Sequence, residues 1–142
     1  RLKSRELYND EVLCVMHDEH FLSQKDFLDF SSFKDVHLFI HSYPLESVSL
    51  HSRFLKPNGV TPKKITAIPF LSLVLEMVAA NMGVVTLPKH ILNSFRLSDQ
   101  IIFKKIGENG LKRTQYLVFR EEDESKQYIS DFVTNISEEF LN

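Results

Sequence analysis

The stretch that decides the fold is Met77-Val78-Ala79-Ala80-Asn81-Met82-Gly83-Val84-Val85-Thr86-Leu87-Pro88. Its first part ends an apolar run that starts after Pro69. This run predicts a largely buried helix over residues 70–82, because proline suits the first turn of a helix. Asn81-Met82-Gly83 is typical of a helix end, and residues 83–87 then predict a short strand that Pro88 closes. A helix that leads directly into an apolar strand is typical of α/β proteins.

The flanking sequence continues this alternation in both directions. Further strands are predicted at residues 7–16, 36–40, 63–68, 100–106 and 114–120, and helical segments at residues 27–33, 45–56, 89–95 and 121–142. The last of these helices is amphipathic, and its acidic start suits the helix dipole. Strands that alternate with helices predict an α/β fold with short parallel strands.

Composition excludes several classes of protein. The 142 residues suffice for one domain or two very small lobes, and 43% hydrophobic with 25% charged residues is typical of a globular chain. A formal net charge of −2, without a cluster of Lys and Arg, argues against a nucleic-acid surface on this segment. Since the sequence has neither a long apolar run nor a signal-peptide start, we expect a cytoplasmic protein without membrane contact. Because it opens with Arg1 rather than Met, we also expect a segment of a longer protein.

Little in the sequence indicates an enzyme, a cofactor or a metal. Cys14 is the single cysteine and lies in an apolar strand, which excludes an intramolecular disulfide and a multi-cysteine metal site. With four glycines, the chain has neither of the common phosphate-binding motifs nor a Gly-x-Ser-x-Gly turn. The cluster His17-Asp18-Glu19-His20 lacks the spacing of a helical zinc site, so we interpret it as a solvated turn at a strand end. We therefore predict no catalytic residue, no metal and no cofactor.

Residues at the ends of the predicted strands form the candidate binding site. His41-Ser42-Tyr43 follows the strand at 36–40, Ile68-Pro69-Phe70 follows the strand at 63–68, and Thr86 precedes Pro88. In open α/β sheets the crevice beyond the carboxyl ends of the strands collects helix amino termini and backbone N–H groups. Such a crevice suits a small anion or zwitterion, although the same residues would serve equally as ordinary caps and turns.

Several stretches of the sequence resemble one known family. They are Leu7-Tyr8-Asn9-Asp10-Glu11-Val12 with residues 15–20, Leu55-Lys56-Pro57-Asn58-Gly59-Val60, and above all residues 77–88, continued by Ile106-Gly107-Glu108 and Tyr116-Leu117-Val118. Over nearly the whole chain, these motifs resemble the effector-binding domain of LysR-type transcriptional regulators. Within that family the closest likeness is to the MetR-like regulators of methionine metabolism.

The resemblance implies an α/β fold of the periplasmic-binding-protein-like type II, in which two lobes hold an effector between them. Residues 33–120 would form the second lobe, and residues 1–32 with 121–142 would form part of an incomplete first lobe. It also implies a non-enzymatic module with homocysteine or a related small amino acid as its effector. The full protein would be a homo-oligomer, a dimer or tetramer, that reaches DNA only through a domain absent from this chain.

On this interpretation the effector would contact His41, Ser42, Tyr43, Pro69, Phe70 and Thr86. Its carboxylate would lie against backbone N–H groups near Ser42 and Tyr43. Family members commonly place small polar residues where Pro69-Phe70 begins the helix here, so the effector's identity stays open. A solute-binding protein of a transport system with the same fold is the alternative, and a small α/β enzyme is disfavoured by the missing motifs.

Overall fold

The structure is a computed structural model that describes residues 1–120 and 122. Its strands are β1 (Leu2–His17), β2 (Phe27–Leu28), β3 (His37–Ile40), β4 (Lys64–Ala67), β5 (Val84–Pro88), β6 (Ile101–Ile106) and β7 (Leu111–Arg120), and its helices are α1 (Leu71–Ala79) and α2 (Lys89–Leu92). The amphipathic helix predicted over residues 121–142 lies outside the described residues, apart from Glu122. Every predicted strand is present, which confirms the α/β class.

The chain divides into two compact units, residues 1–10 with 112–142 and residues 11–111. In the first unit, the opening half of β1 pairs with β7. There the Thr114 hydroxyl donates to Oδ1 of Asn9 at 2.6 Å, and the Arg5 guanidinium lies 5.9 Å from the ring centroid of Phe119. The predicted lobes, residues 33–120 against residues 1–32 with 121–142, have other boundaries, and the lobe assignment stays a prediction.

A mixed sheet forms the second unit, with the strand order β2-β6-β1-β5-β3-β4. β3 runs parallel to both β4 and β5, as the sequence predicts, and β2 runs parallel to β6. β1 runs antiparallel to β5 and β6. Only part of the sheet is therefore parallel, and that part includes the three strands at whose ends the candidate binding residues lie.

Alternate residues of the central strands enter two cores, because successive side chains of a strand point to opposite faces. One core contains Cys14, Ile40 and Val84 and is closed by Phe33, Leu50 and Leu55 from the connecting segments. The other contains Val15, Phe39 and Val85 and is closed by α1 and α2 through Val74, Leu75, Val78 and Leu92. Both faces of the strands β1, β3 and β5 are thus covered, which fixes the positions of their ends.

Helix α1 is shorter and less buried than predicted. It spans Leu71–Ala79 instead of residues 70–82, and only Val74, Leu75 and Val78 are buried, whereas Leu73 is 48% exposed. The prediction of a largely buried helix was wrong because α1 packs one face on the sheet and nothing within the described residues covers the other. Apolar residues on an open face look the same in sequence as those in a core.

The predicted stop signal at Asn81-Met82-Gly83 is confirmed at Asn81. Asn81 takes a left-handed conformation with φ 58°. Its N–H donates to the carbonyl of Val78 at 2.9 Å, and the N–H of Met82 donates to the carbonyl of Met77 at 3.0 Å. This pair of bonds is the Schellman arrangement, which satisfies the last carbonyls of a helix. Asparagine tolerates the left-handed region better than most residues, so the sequence signal has a direct physical cause.

Two other predicted helical segments differ from the structure. Residues 27–33 form β2 and then a 3₁₀ helix, Phe30–Asp35, whose first turn is capped by the Asp29 carboxylate accepting from the Ser32 N–H at 2.9 Å. The segment predicted as a helix over residues 45–56 consists of 3₁₀ turns at Leu45–Ser47 and Lys56–Asn58 around a π-helical turn, His51–Leu55. Among the described residues, no helix has the length and apolar character needed to cross a membrane.

Candidate functional site

The candidate site lies where the parallel strands β3, β4 and β5 end side by side. Ile40 of β3 is in register with Ala67 of β4, and Phe39 is in register with Val85 of β5, which places Thr86 level with Ile40. The N–H of Ile68 donates to the carbonyl of Ile40 at 2.8 Å and ties the ends of two strands together. We call this end of the three strands the carboxyl edge.

All six predicted effector-binding residues belong to segments at the carboxyl edge. His41, Ser42 and Tyr43 follow β3, Pro69 and Phe70 follow β4, and Thr86 lies in β5 two residues before its end. The structure therefore brings three segments together that are separated by up to 45 positions along the chain. Their role in binding stays a prediction, because their placement shows proximity and not a ligand.

The polar side chains at this edge are not used by the fold. Within residues 1–120 and 122, the side chains of His41, Ser42, Tyr43 and Thr86 make no hydrogen bond or ion pair. Nearby hydroxyls do have internal partners. The Ser47 hydroxyl donates to the carbonyl of Pro44 at 2.7 Å, and Oγ1 of Thr66 lies 2.7 Å from Nε2 of His37. Ser42 and Tyr43 are exposed, so their hydroxyls are available to a polar ligand that reaches the edge.

Two aromatic rings extend from the same edge into solvent. Tyr43 is 59% exposed and Phe70 is 67% exposed. Each ring follows its strand by three residues, and the two strand ends, Ile40 and Ala67, are paired in register. Large exposed rings of this kind offer apolar surface that a ligand would bury.

Helix α1 adds an electrostatic feature to the carboxyl edge. Since α1 follows β4 after a short connection, its amino end lies at this edge. Phe70 occupies the N-cap position without a side-chain hydrogen bond, and the first turn holds neither Asp nor Glu. The first N–H groups of the helix therefore lack a side-chain acceptor, and the positive end of its dipole favours an anion.

The sequence does not predict the antiparallel neighbour of β5. Val12 of β1 pairs with Pro88, so β1 also borders the carboxyl edge. A single sequence holds no signal for this pairing, because it joins strands about 70 positions apart whose apolar patterns would fit several neighbours. The sequence indicates only the β3, β4 and β5 segments as neighbours at this edge.

The cluster at His17-Asp18-Glu19-His20 differs from its prediction in one respect. Asp18 and Glu19 are exposed as expected for a turn, but both histidines are buried, so the interpretation as a fully solvated turn was wrong. Nδ1 of each imidazole accepts a hydrogen bond from a backbone N–H, so this buried nitrogen has a partner. The part of the chain that the structure describes contains no group of three residues suited to hold a metal ion.

Cys14 is enclosed in the core, and burial raises the pKa of its thiol far above the ordinary value. The thiolate is the reactive form, so we expect Cys14 to react with a disulfide reagent such as DTNB only when the protein opens. Reaction should be slow at pH 7–8 in buffer and should accelerate strongly in denaturant. Cys14→Ser supplies the blank, since the sequence has no other thiol. Rapid stoichiometric modification of the native protein would contradict this burial.

The mixed sheet and its carboxyl edge define the class of the protein. The chain matches the LysR substrate binding domain family over residues 1–141 and belongs to that family. Its fold is the periplasmic-binding-protein-like type II fold of these domains, as predicted. This membership identifies a ligand-binding regulatory domain and not an enzyme.

Among named proteins, the chain is similar to the transcriptional regulator MetR. It is 25% identical over 130 residues to MetR of Haemophilus influenzae, covering 92% of this chain and 42% of that protein. It is 26% identical over 127 residues to MetR of Escherichia coli K12, covering 89% of this chain and 39% of that protein. The chain thus spans about two fifths of the length of these curated relatives.

A solved structure shares the fold. The regulatory domain of MetR, a LysR family regulator from N. meningitidis, matches with a TM-score of 0.82 and 22% sequence identity. The match covers 96% of this chain and 63% of that one. At this level of identity the likeness shows the fold alone.

Proposed function

We propose that this chain senses a small effector at the carboxyl edge for a LysR-type transcription regulator. The observation that carries the proposal is the arrangement of three parallel strand ends whose polar side chains have no internal partners within the described residues. Ligands of open α/β sheets bind at such edges. The predicted binding residues His41, Ser42, Tyr43, Pro69, Phe70 and Thr86 all belong to segments at this edge.

The chemistry of the edge favours a small amino acid with an apolar side chain. A carboxylate would accept hydrogen bonds from the first N–H groups of α1, where no acidic residue repels it. The rings of Tyr43 and Phe70 would bury the apolar part of the ligand. Homocysteine, or a related amino acid, has both parts, and the likeness to MetR supports it as the effector.

Regulation requires no chemical step on the ligand. An effector changes a regulator only as far as it binds one conformation better than another, and a coupling of about 1–3 kcal/mol changes an affinity about 5–150-fold. In the whole protein we place this unit in a cytoplasmic homo-oligomer that contacts DNA through a domain outside the chain. The named relatives are transcriptional regulators, so the alternative of a transport protein has no support.

Thermal unfolding with and without millimolar homocysteine tests the proposal. A ligand at one hundred times its dissociation constant should stabilise the native state by about 2.7 kcal/mol and raise the midpoint. Other amino acids, with and without an apolar side chain, define the chemical class. If no amino acid moves the midpoint, the proposed effector class is wrong, whereas membership in the family is unaffected.

A charge placed in the first turn of α1 tests where the carboxylate lies. Ser72 is exposed there. In Ser72→Asp the new carboxylate should interact favourably with the helix dipole but repel an anionic ligand. We expect binding to weaken about tenfold, the effect of a like charge roughly 10 Å away at an effective dielectric constant near 20. The neutral control Ser72→Asn should bind like the parent chain. Equal affinities of the two variants would exclude α1 as the carboxylate site.

A further inference from the structure

In the loop that follows β1, residues 18–23, two histidine side chains accept backbone N–H groups, beside the backbone bonds from the His20 N–H to the His17 carbonyl and from the Ser23 N–H to the His20 carbonyl. Nδ1 of His17 accepts the N–H of Glu19 at 2.9 Å, and Nδ1 of His20 accepts the N–H of Leu22 at 3.1 Å. Each ring thus bonds to the backbone two residues further along, so the same turn occurs twice in succession. Both rings are buried, with 8% of each residue exposed.

These bonds exist only while the imidazoles are neutral. An imidazole nitrogen accepts a hydrogen bond through its lone pair, and a protonated ring has N–H donors at both positions. Proton uptake at Nδ1 therefore removes the side-chain acceptor of a loop N–H and leaves that N–H without its partner. For His17 a second partner is already in place, because Oδ1 of Asp18 lies 3.3 Å from the same Nδ1.

The surroundings favour the neutral state of His20. Burial lowers the pKa of His20, and the nearby His17 lowers it further. The ring of Phe21 stacks on His20 at 4.4 Å and carries no charge, and the loop before β6 contributes the uncharged carbonyl of Gln100, which accepts the Asp18 N–H at 2.8 Å. Among residues 1–120 and 122, Asp18 is the only charged partner that these two histidines contact.

We propose that residues 18–23 form a pH-sensitive switch, closed around the neutral imidazole of His20 and opened when that ring takes up a proton. Because the pKa of His20 is lower in the closed loop, the open loop binds more protons in the range below the ordinary histidine pKa, about 6.5. Opening therefore increases as the pH falls through this range. Each proton that the open form gains raises the opening equilibrium up to tenfold per pH unit.

The switch is separate from the effector site. β1 runs antiparallel to β5, so His17 at its end lies near the start of β5, at the edge opposite the carboxyl edge. The inference therefore does not depend on the proposed function, and each can fail without the other.

Nuclear magnetic resonance of the 142-residue chain with ¹⁵N-labelled histidine tests the switch. At pH 7.5, we expect Nδ1 of His20 to be unprotonated and hydrogen-bonded, and the amide of Leu22 to be protected from exchange. Between pH 6.5 and 5 the protection of the Leu22 amide, corrected for the intrinsic exchange rate, should fall by up to tenfold per pH unit. A protonated Nδ1 of His20 at pH 7.5, or protection that does not change with pH, would overturn the proposal.

Asparagine variants supply the matched comparison. The side-chain oxygen of Asn accepts the N–H two residues further along and does not titrate. In the double variant His17→Asn with His20→Asn, the loop should stay closed at pH 5, whereas His90→Asn in α2 should keep the pH dependence of the parent chain. An unchanged dependence in the double variant would refute the role of these rings. If the double variant does not fold, the tautomers and the pH dependence of the parent chain decide.

Discussion

Replacing Phe39 by alanine should reduce the free energy of unfolding by about 3–5 kcal/mol. The side chain is 1% exposed and belongs to the core that joins β3 and β5 to α1. Removing the ring loses its burial and leaves a cavity among Val74, Val78 and Val85, which the paired strands cannot close by moving. Urea unfolding followed by circular dichroism measures the loss.

Phe70→Ala is the matched control for this change. It deletes the same ring from a residue that is 67% exposed, so the free energy of unfolding should stay within about 0.5 kcal/mol of the parent chain. Because the variant keeps its fold, any loss of effector binding would be due to the site itself. If the two variants lost equal stability, the division between a buried ring in the core and an exposed ring at the carboxyl edge would be wrong.

The carboxyl edge could be predicted from the sequence because the signals for its three strands are local. Strands β3, β4 and β5 are short apolar runs that end at polar or proline-containing segments, and such signals depend on a few adjacent residues. Once these strands are parallel neighbours, their carboxyl ends must meet. The segments of Ser42, Phe70 and Thr86 therefore meet at one edge although the sequence reveals none of their contacts.

The errors concern features that depend on distant parts of the chain. Whether Leu73 is covered depends on what packs over α1, and no pattern within the helix reports that. The rings of His17 and His20 are buried because backbone N–H groups meet their nitrogens in a turn whose geometry the residue types alone do not specify. The π-helical turn His51–Leu55 is likewise not indicated by its apolar spacing, which predicts an ordinary helix.

Replacing Gly83 by alanine should reduce the free energy of unfolding by about 1–3 kcal/mol, or more if the strands cannot separate. A Cβ atom there would lie 2.6 Å from the carbonyl oxygen of His37 and 2.7 Å from Cε2 of Phe39. The carbonyl belongs to β3, which is hydrogen-bonded to β5, so the backbone cannot move away without weakening the sheet. Gly83 does not have a positive φ, so glycine is required at this position only because there is no room for a Cβ atom.

Gly59→Ala separates this steric effect from backbone strain. Gly59 has φ 69°, and a methyl group at its Cα would meet nothing within 4 Å, so alanine should cost only the left-handed conformation, about 1–2 kcal/mol.

A second change, Phe39→Leu, separates the two obstacles at Gly83, because it removes the ring atoms but leaves the His37 carbonyl in place. If this change fully relieved the Gly83→Ala defect in a double-mutant cycle, the ring alone would be the obstacle. We expect partial relief, since the His37 carbonyl oxygen would still lie 2.6 Å from the added Cβ atom.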